Sequence, residues 1–358
     1  MKDFQLFKKK PRRFKNINKV KRTCEKSPKS VFVKQNPDKE KKPTFFQKYG
    51  TDIILTLVPF TILLILLVVQ YLNIEVIQNI EKTKLTPLNY TVKISPYPFI
   101  RNFTVPEISA EAAIIAESNS QIVLYSKNPN IRFSMASTTK IMTALVALDY
   151  YKENSVLTIY TPRIEGSNLG FQQGQKFYFK DLLFAMLLPS SNEAAYAIAQ
   201  NYPGGVEAFI KKMDEKTKEL NLTNTHFQDP IGLDDDNDYT TVFDLSRLSY
   251  EAIKNKTLAT TFATKQKTIS DITGQKQFYM ENLNILLGID GVNGIKTGTT
   301  TGAGEVLVTS KIEKGKTFII IVMKSKQRFI DTKILLSLIS NNISYLNPLL
   351  PISLTATQ

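Results

Sequence analysis

The sequence predicts an α+β domain: an antiparallel sheet built from its terminal strands, with a cluster of helices between them and one transmembrane helix ahead. Three observations carry that expectation. Residues 53–72, "IILTLVPFTILLILLVVQYL", contain no charged side chain. Short apolar runs bounded by turn residues occur around residues 112–127 and again at 304–325. Between those runs, apolar residues recur at helical spacing.

Taken in order, the chain opens on a basic tail. Residues 1–50 hold 17 Lys/Arg against 4 Asp/Glu, while the remaining 308 hold 29 against 28. The formal charge of +14 therefore belongs to the tail, and no nucleic-acid partner is expected of the balanced bulk. A tail this rich in Lys, Asn and Pro is expected to be disordered. Residues 51–72 follow as the transmembrane helix. Twenty helical residues at about 1.5 Å each span roughly 30 Å, the thickness of a bilayer core. The lysine-rich flank predicts a cytoplasmic N-terminus and an extracytoplasmic remainder. The long tail and the absence of a small-x-small site favour an uncleaved anchor over a signal peptide. Cys24 is the only cysteine and lies in the tail, so the exported part forms no disulfide.

Residues 73–108 read as an extracytoplasmic stalk: "NIEVIQNIEKTK" at its start could continue the membrane helix for a few turns, and beyond it Pro87, Pro96, Pro98 and Pro106 forbid a regular helix. The folded domain is expected over 109–358. "AAIIAES" and "QIVLYSK" around "SNSQ" predict a hairpin. Helices are expected over 134–150, 180–201 and 205–220, and from about Thr241. Strands "EVLVTSKIE" and "KTFIIIVMK" flank the turn "KG", and a last helix covers about 328–346.

Within this frame three short patterns occur in a fixed order. Ser137 and Lys140 in "ASTTK" share a helix face. A serine hydroxyl needs a base before it can attack, and a lysine serves if burial or a nearby cation lowers its pKa. The pair also fits a helix cap beside a solvated lysine. Ser190 and Asn192 in "LLPSSNEAAYAIA" form Ser-x-Asn, which Ser126-Asn128 and Ser340-Asn342 also satisfy; Ser190 alone could be a cap. Lys296-Thr297-Gly298 in "GVNGIKTGTTTGAG" combines a cation, a hydroxyl and a glycine that lets a substrate lie against a strand edge, or is a glycine-rich turn.

Together, SxxK, SxN and KTG resemble the motifs of serine penicillin-binding proteins and β-lactamases. "ASTTKIMTALVAL", "LLPSSNEAAYAIA", "TNTHFQDPIGLD" and "GVNGIKTGTTTGAG" are similar to stretches of the low-molecular-mass D-alanyl-D-alanine carboxypeptidases, over about residues 109–325. The resemblance implies a β-lactamase/DD-peptidase-like fold and removal of the terminal D-alanine from peptidoglycan stem peptides. It implies Ser137 as nucleophile, Lys140 as its base and Ser190 as proton relay. Asn192 would orient Lys140 and the substrate amide. Lys296 would lower the Lys140 pKa and attract the terminal carboxylate, which Thr297 would hydrogen-bond. Gly298 would leave room for substrate, and backbone N–H groups of Ser137 and Thr299 would form the oxyanion hole. β-Lactams would acylate the same serine, and no cofactor or metal is implied. Met135, Thr299 and Ile231 depart from the family's usual proline, bulkier residue and histidine. Several relatives carry a C-terminal β-domain and amphipathic helix; here the N-terminal span is expected to anchor the enzyme.

Other chemistries fit less well. His226 is the only histidine, which argues against a Ser-His-Asp triad and a zinc peptidase, and it is expected to be structural. "DDDND", residues 234–238, lacks the glycine and distal glutamate of a calcium loop and reads as a solvated loop. A class A β-lactamase needs a glutamate where this chain has Thr217. A D,D-endopeptidase would use the same residues, and a catalytically inactive penicillin-binding scaffold remains a non-enzymatic alternative.

Overall fold

The computed structural model describes residues 45–82 and 96–346. Most of the basic tail, residues 83–95 of the expected stalk and residues 347–358 lie outside the described residues, as does the expectation of disorder. The chain divides into two compact units, Met1–Tyr90 and Thr91–Gln358.

In the first unit, helix α1 (Phe45–Lys82) takes in residues 45–50, which the sequence reading gave to the tail. Its Leu57–Gln78 stretch is long and apolar enough to cross a membrane, and none of that stretch is buried. Leu63, Leu64, Leu66 and Val69 point in different directions round the helix, yet all stay exposed. Its apolar residues run round every side, unlike the single apolar stripe of a helix that packs one face on a core. Pro59 sits within it, as membrane helices tolerate.

The second unit begins before Ser109. Strand β1 (Tyr97–Ile100) pairs with β11 (Ile343–Leu346), so part of the expected stalk belongs to the fold. Pro98 fits there because the pair has only two strands and its missing N–H can face outward. The hairpin β2 (Ala112–Glu117) and β3 (Val123–Lys127) follows as expected. A 3₁₀ turn (Ala136–Thr139) leads into α2 (Lys140–Tyr150). The hairpin β4 (Val156–Thr158) and β5 (Lys176–Tyr178) precedes α3 (Phe179–Leu187) and α4 (Asn192–Gln200). These two helices replace the single one expected over 180–201: the chain breaks at Pro189, and Ser190 takes φ +68°. Then come α5 (Gly205–Glu219), α6 (Val242–Lys254) and α7 (Lys256–Phe262). Thr241 caps α6, accepting from the Asp244 N–H at 3.0 Å. The hairpin β6 (Gln266–Ser270) and β7 (Gln277–Glu281) escaped the sequence reading because Ile269 and Met280 are its only fully buried side chains. Strands β8 (Val292–Thr300), β9 (Gly304–Glu313) and β10 (Lys316–Ser325) form a meander, followed by α8 (Arg328–Ile339). The last helix thus ends earlier than expected, where Asn341 turns left-handed and β11 begins.

The central sheet is antiparallel in the order β3-β2-β10-β9-β8, so the hairpin β2–β3 ahead of the helices and the meander β8–β10 after them share one sheet. Both faces are covered. Ile114, Ile319 and Ile321 face the helical cluster, while Ile115, Ile320 and Val322 face Leu335 and Ile339 of α8. This accounts for the unbroken apolar run "FIIIVM" in β10. Each fully buried Ile there contributes about 1.5–3 kcal/mol relative to exposure.

Candidate active site

Strand β8 is an edge strand, so its outer N–H and C=O groups are not used by the sheet. Against it lies the 3₁₀ turn that carries Ser137. Gly298 permits this approach: a Cβ there would sit 3.0 Å from the Ala136 Cβ and 3.2 Å from the Ser137 nitrogen. Two non-glycine residues beside the serines hold left-handed backbone, Ala136 at φ +47° and Ser190 at φ +68°. Strain of this kind gathers at functional sites, where surrounding packing enforces it.

The cap readings fail on hydrogen bonding. The turn and α2 have no side-chain cap, so the Ser137 hydroxyl does not cap them. The cap of α4 is Ser191, which accepts from the Ala194 N–H at 3.2 Å. Ser190 is thereby spared; its hydroxyl is buried and has no partner among the described residues.

Lys140 is completely buried. Its Nζ lies 2.8 Å from Ser137 Oγ, 2.7 Å from Asn192 Oδ1 and 2.9 Å from the Ile231 carbonyl oxygen. As an ammonium Lys140 donates to all three oxygens; once it loses a proton it has two N–H donors for Asn192 and Ile231 and a lone pair for the serine hydroxyl. Burial lowers the Lys140 pKa to about 7, opposed by the Asp229 carboxylate. Lys296, also buried, is held well below the ordinary lysine value by burial and by the positive charges of Lys140 and Arg328. Its Nζ donates only to the Thr297 carbonyl, at 3.0 Å, among the described residues.

These groups border a cleft of about 190 Å³. Ser137, Ser190, Asn192, Thr297, Gly298 and Thr299 line it, together with Gly166, Ser167, Gly232, Leu233, Leu283, Thr300 and Arg328. Lys140 and Lys296 lie beneath its surface. All eight candidate residues named from the sequence therefore belong to one locality. Asn192 meets Lys140 through Oδ1, and its Nδ2 donates to the Glu165 carbonyl. The loop carrying Glu165 is fastened to α4 by the Asn192 N–H, which donates to the Ser167 carbonyl at 2.7 Å, and by the Leu169 N–H, which donates to Glu193 Oε1 at 2.5 Å.

The sequence reading missed Arg328 and Asp229. Arg328 Nη1 donates to the Gly298 carbonyl at 2.9 Å and to Thr299 Oγ1, placing a guanidinium on the cleft wall. It stands 30 residues beyond KTG, outside any motif. The acidic stretch 234–238 is not wholly a solvated loop. Asp234 accepts from the Gly302 N–H at 2.7 Å and from Thr300 Oγ1, bracing the end of β8. Asp238 is buried, and desolvation with the neighbouring Asp229 raises its pKa to about 8. His226 Nδ1 lies 2.6 Å from the Asn237 carbonyl, away from the cleft. Ser340 engages Lys311 at 2.7 Å on the opposite face of the sheet, as a chance Ser-x-Asn would. Among the described residues no cluster of His, Cys, Asp and Glu could hold a metal.

A family model described as D-alanyl-D-alanine carboxypeptidase, peptidase family S11, matches residues 101–327. Over 214 residues the chain is 31% identical to the D-alanyl-D-alanine carboxypeptidase DacF of Bacillus subtilis, a match covering 58% of this chain and 54% of that protein. The chain thus spans about half the length of that relative. Over 231 residues it is 33% identical to a D-alanyl-D-alanine endopeptidase of Escherichia coli K12, covering 61% and 72%. Its fold is similar to the crystal structure of the Streptomyces K15 DD-transpeptidase, with TM-score 0.63 and 31% identity over 66% of this chain and 98% of that one. The chain belongs to the D-alanyl-D-alanine carboxypeptidase family, and its α+β architecture is that of the DD-peptidases.

Proposed function

We propose that this protein is a serine D-alanyl-D-alanine carboxypeptidase that trims peptidoglycan stem peptides through an acyl-enzyme on Ser137. One observation carries the reading: a fully buried amine, its pKa lowered to about 7, sits 2.8 Å from a serine hydroxyl at the edge of a cleft. Near neutral pH such an amine has both the lone pair and the driving force to take the hydroxyl proton. Ser137 Oγ attacks the penultimate D-alanine carbonyl as Lys140 takes its proton. The peptide C–N bond then breaks, and the departing D-alanine nitrogen gains a proton relayed through Ser190. Water afterwards attacks the ester, with Lys140 again the base, and releases the shortened peptide.

The remaining groups receive the charges. The outer edge of β8 suits an extended peptide added as a further strand. Backbone N–H groups of Ser137 and Thr299 serve the oxyanion. The peptide's carboxylate lies among Lys296, Thr297 and Arg328, where its negative charge supports the protonated form of Lys296. A class A β-lactamase reading is disfavoured because, among the described residues, no Asp or Glu side chain lines the cleft. The apolar α1 anchors the enzyme in the cell membrane, with the basic flank cytoplasmic and the catalytic domain extracytoplasmic, where peptidoglycan lies.

Endopeptidase cleavage of cross-links is the second reading, favoured by the Escherichia coli relative of that name. Fluorescent penicillin should label the wild type and leave Ser137→Ala unlabelled. Equal labelling of both would end the reading, and no label on either would point to an inactive scaffold. Mass spectrometry of a pentapeptide and a cross-linked dimer after incubation then separates D-alanine release from cross-link cleavage.

A further inference from the structure

We propose that Asp229 is a positioning residue for the reaction: its carboxylate closes the Asp229–Leu233 turn whose Ile231 carbonyl holds the Lys140 amine against Ser137. The inference rests on Lys140 being the base for Ser137.

The turn is organised around this one side chain. Asp229 Oδ1 accepts from the Ile231 N–H at 2.7 Å and the Gly232 N–H at 2.6 Å, and Oδ2 accepts from the Leu233 N–H at 3.2 Å. With its N–H held there, Ile231 presents its carbonyl to Lys140 Nζ at 2.9 Å. Thr143, on the next turn of α2, donates to the Pro230 carbonyl at 2.6 Å. Helix α2 and the turn are therefore joined at two consecutive carbonyls. The approach is close: Gly232 has φ +82°, and a Cβ on it would lie 1.9 Å from the Ala136 carbonyl oxygen. A displaced turn would push directly on the residue before the nucleophile.

Asp229 also contributes charge. Lys140 is faced by Asp229 from the turn and by Lys296 from β8, and Lys296 in turn is faced by Arg328 at the start of α8. Asp238 stands behind the turn, where Thr139 Oγ1 meets its Oδ2 at 3.4 Å; with a pKa of about 8 it keeps its proton near neutrality and adds little charge. Asp229 is thus the carboxylate that offsets the surrounding positive charge. It stabilises the protonated amine and keeps the Lys140 pKa from falling further. Position and charge can be separated, because Asn and Ser close the same kind of turn without charge.

The test uses detergent-solubilised full-length protein. Acylation by fluorescent penicillin is followed against pH for wild type, Asp229→Asn, Asp229→Ser and Asp229→Ala, with melting curves to check folding. Wild-type acylation should rise as Lys140 loses its proton near pH 7. In the Asn and Ser variants that rise should move to lower pH by about half a unit or more, since the charge favouring the ammonium is gone. Asp229→Ala also loses the turn's acceptor, and its rate should drop about tenfold or more at every pH. Superimposable pH profiles for wild type and Asp229→Asn, or an undiminished Asp229→Ala, would overturn the proposal. Titration of Lys140 by NMR of labelled lysine side chains reads the same shift without turnover. A wild type that takes no label thus sinks the functional reading, whereas an unmoved Lys140 titration sinks the role of Asp229.

Discussion

Lys296 and Lys311 lie on adjacent strands of one sheet and are equally hidden from water, yet they occupy opposite faces and opposite circumstances. Lys311, on the α8 side, meets Asp290 at 2.6 Å, Glu313 at 3.4 Å and Ser340 at 2.7 Å. Lys296, opposite Val308 on the helical-cluster face, meets no carboxylate among the described residues; its charged neighbours there are Lys140 and Arg328. A buried ammonium is tolerable when a carboxylate stands beside it. Without one, burial and like charge drive protons off. The first arrangement joins strand to helix; the second makes amines that can accept a proton or receive an anion. The two faces of the sheet thus hold one buried lysine among carboxylates and one among cations.

Three substitutions would break or sharpen this contrast. The largest effect is expected from Lys140→Met, which keeps the volume and removes the base. Acylation by penicillin should fall by roughly 10²–10⁴-fold, the usual span of general-base catalysis. Survival of labelling would mean that the front-face lysines are not chemical. On the back face, Lys311→Met should lower stability by up to about 3 kcal/mol, the low end for a broken buried pair because Asp290 is half-exposed. Labelling per folded molecule should be retained. Denaturant titration alongside labelling checks both, and a stable but inactive protein would blur the two faces.

The smallest effect concerns Asp238, a carboxyl near the front lysines that does not neutralise them. Its folded-state pKa of about 8 exceeds the ordinary 3.8. The folded form therefore binds the proton more tightly than the unfolded form. The associated stability is complete below about pH 4 and is lost as pH rises through about 8. Asp238→Asn should remove this loss and raise Tm at pH 8 by a few degrees, with little change at pH 4. An unaltered pH dependence of Tm would mean that Asp238 is ionised and belongs among the groups charging Lys140.

Much of the site could be read from residue order, because each motif needs its side chains within one local element. Ser137 and Lys140 are one turn apart, and Lys296 to Thr299 are consecutive. Arg328 and Asp229 were invisible for the opposite reason. An arginine at a helix start and an aspartate before a proline look like any others until the chain folds them against β8 and α2. The α3–α4 break was missed because its signal, Pro189 with a left-handed Ser190, lies inside an otherwise continuous apolar pattern. Strand β1 was missed because its partner lies some 240 residues away.

By itself the sequence determined the apolar span, the hairpin β2–β3 and the strands β9 and β10 with helices between, and the three motifs. Each follows from periodicity, composition or spacing that no distant contact can change. Only the tertiary structure decided that Lys140 is dry, that among the described residues Ser190 and not Ser191 keeps its hydroxyl unengaged, and that Asp229 stands by Lys140 while Lys296 meets no carboxylate there. Proton affinity depends on which groups surround an amine and how much water reaches it, and both are properties of the packed chain.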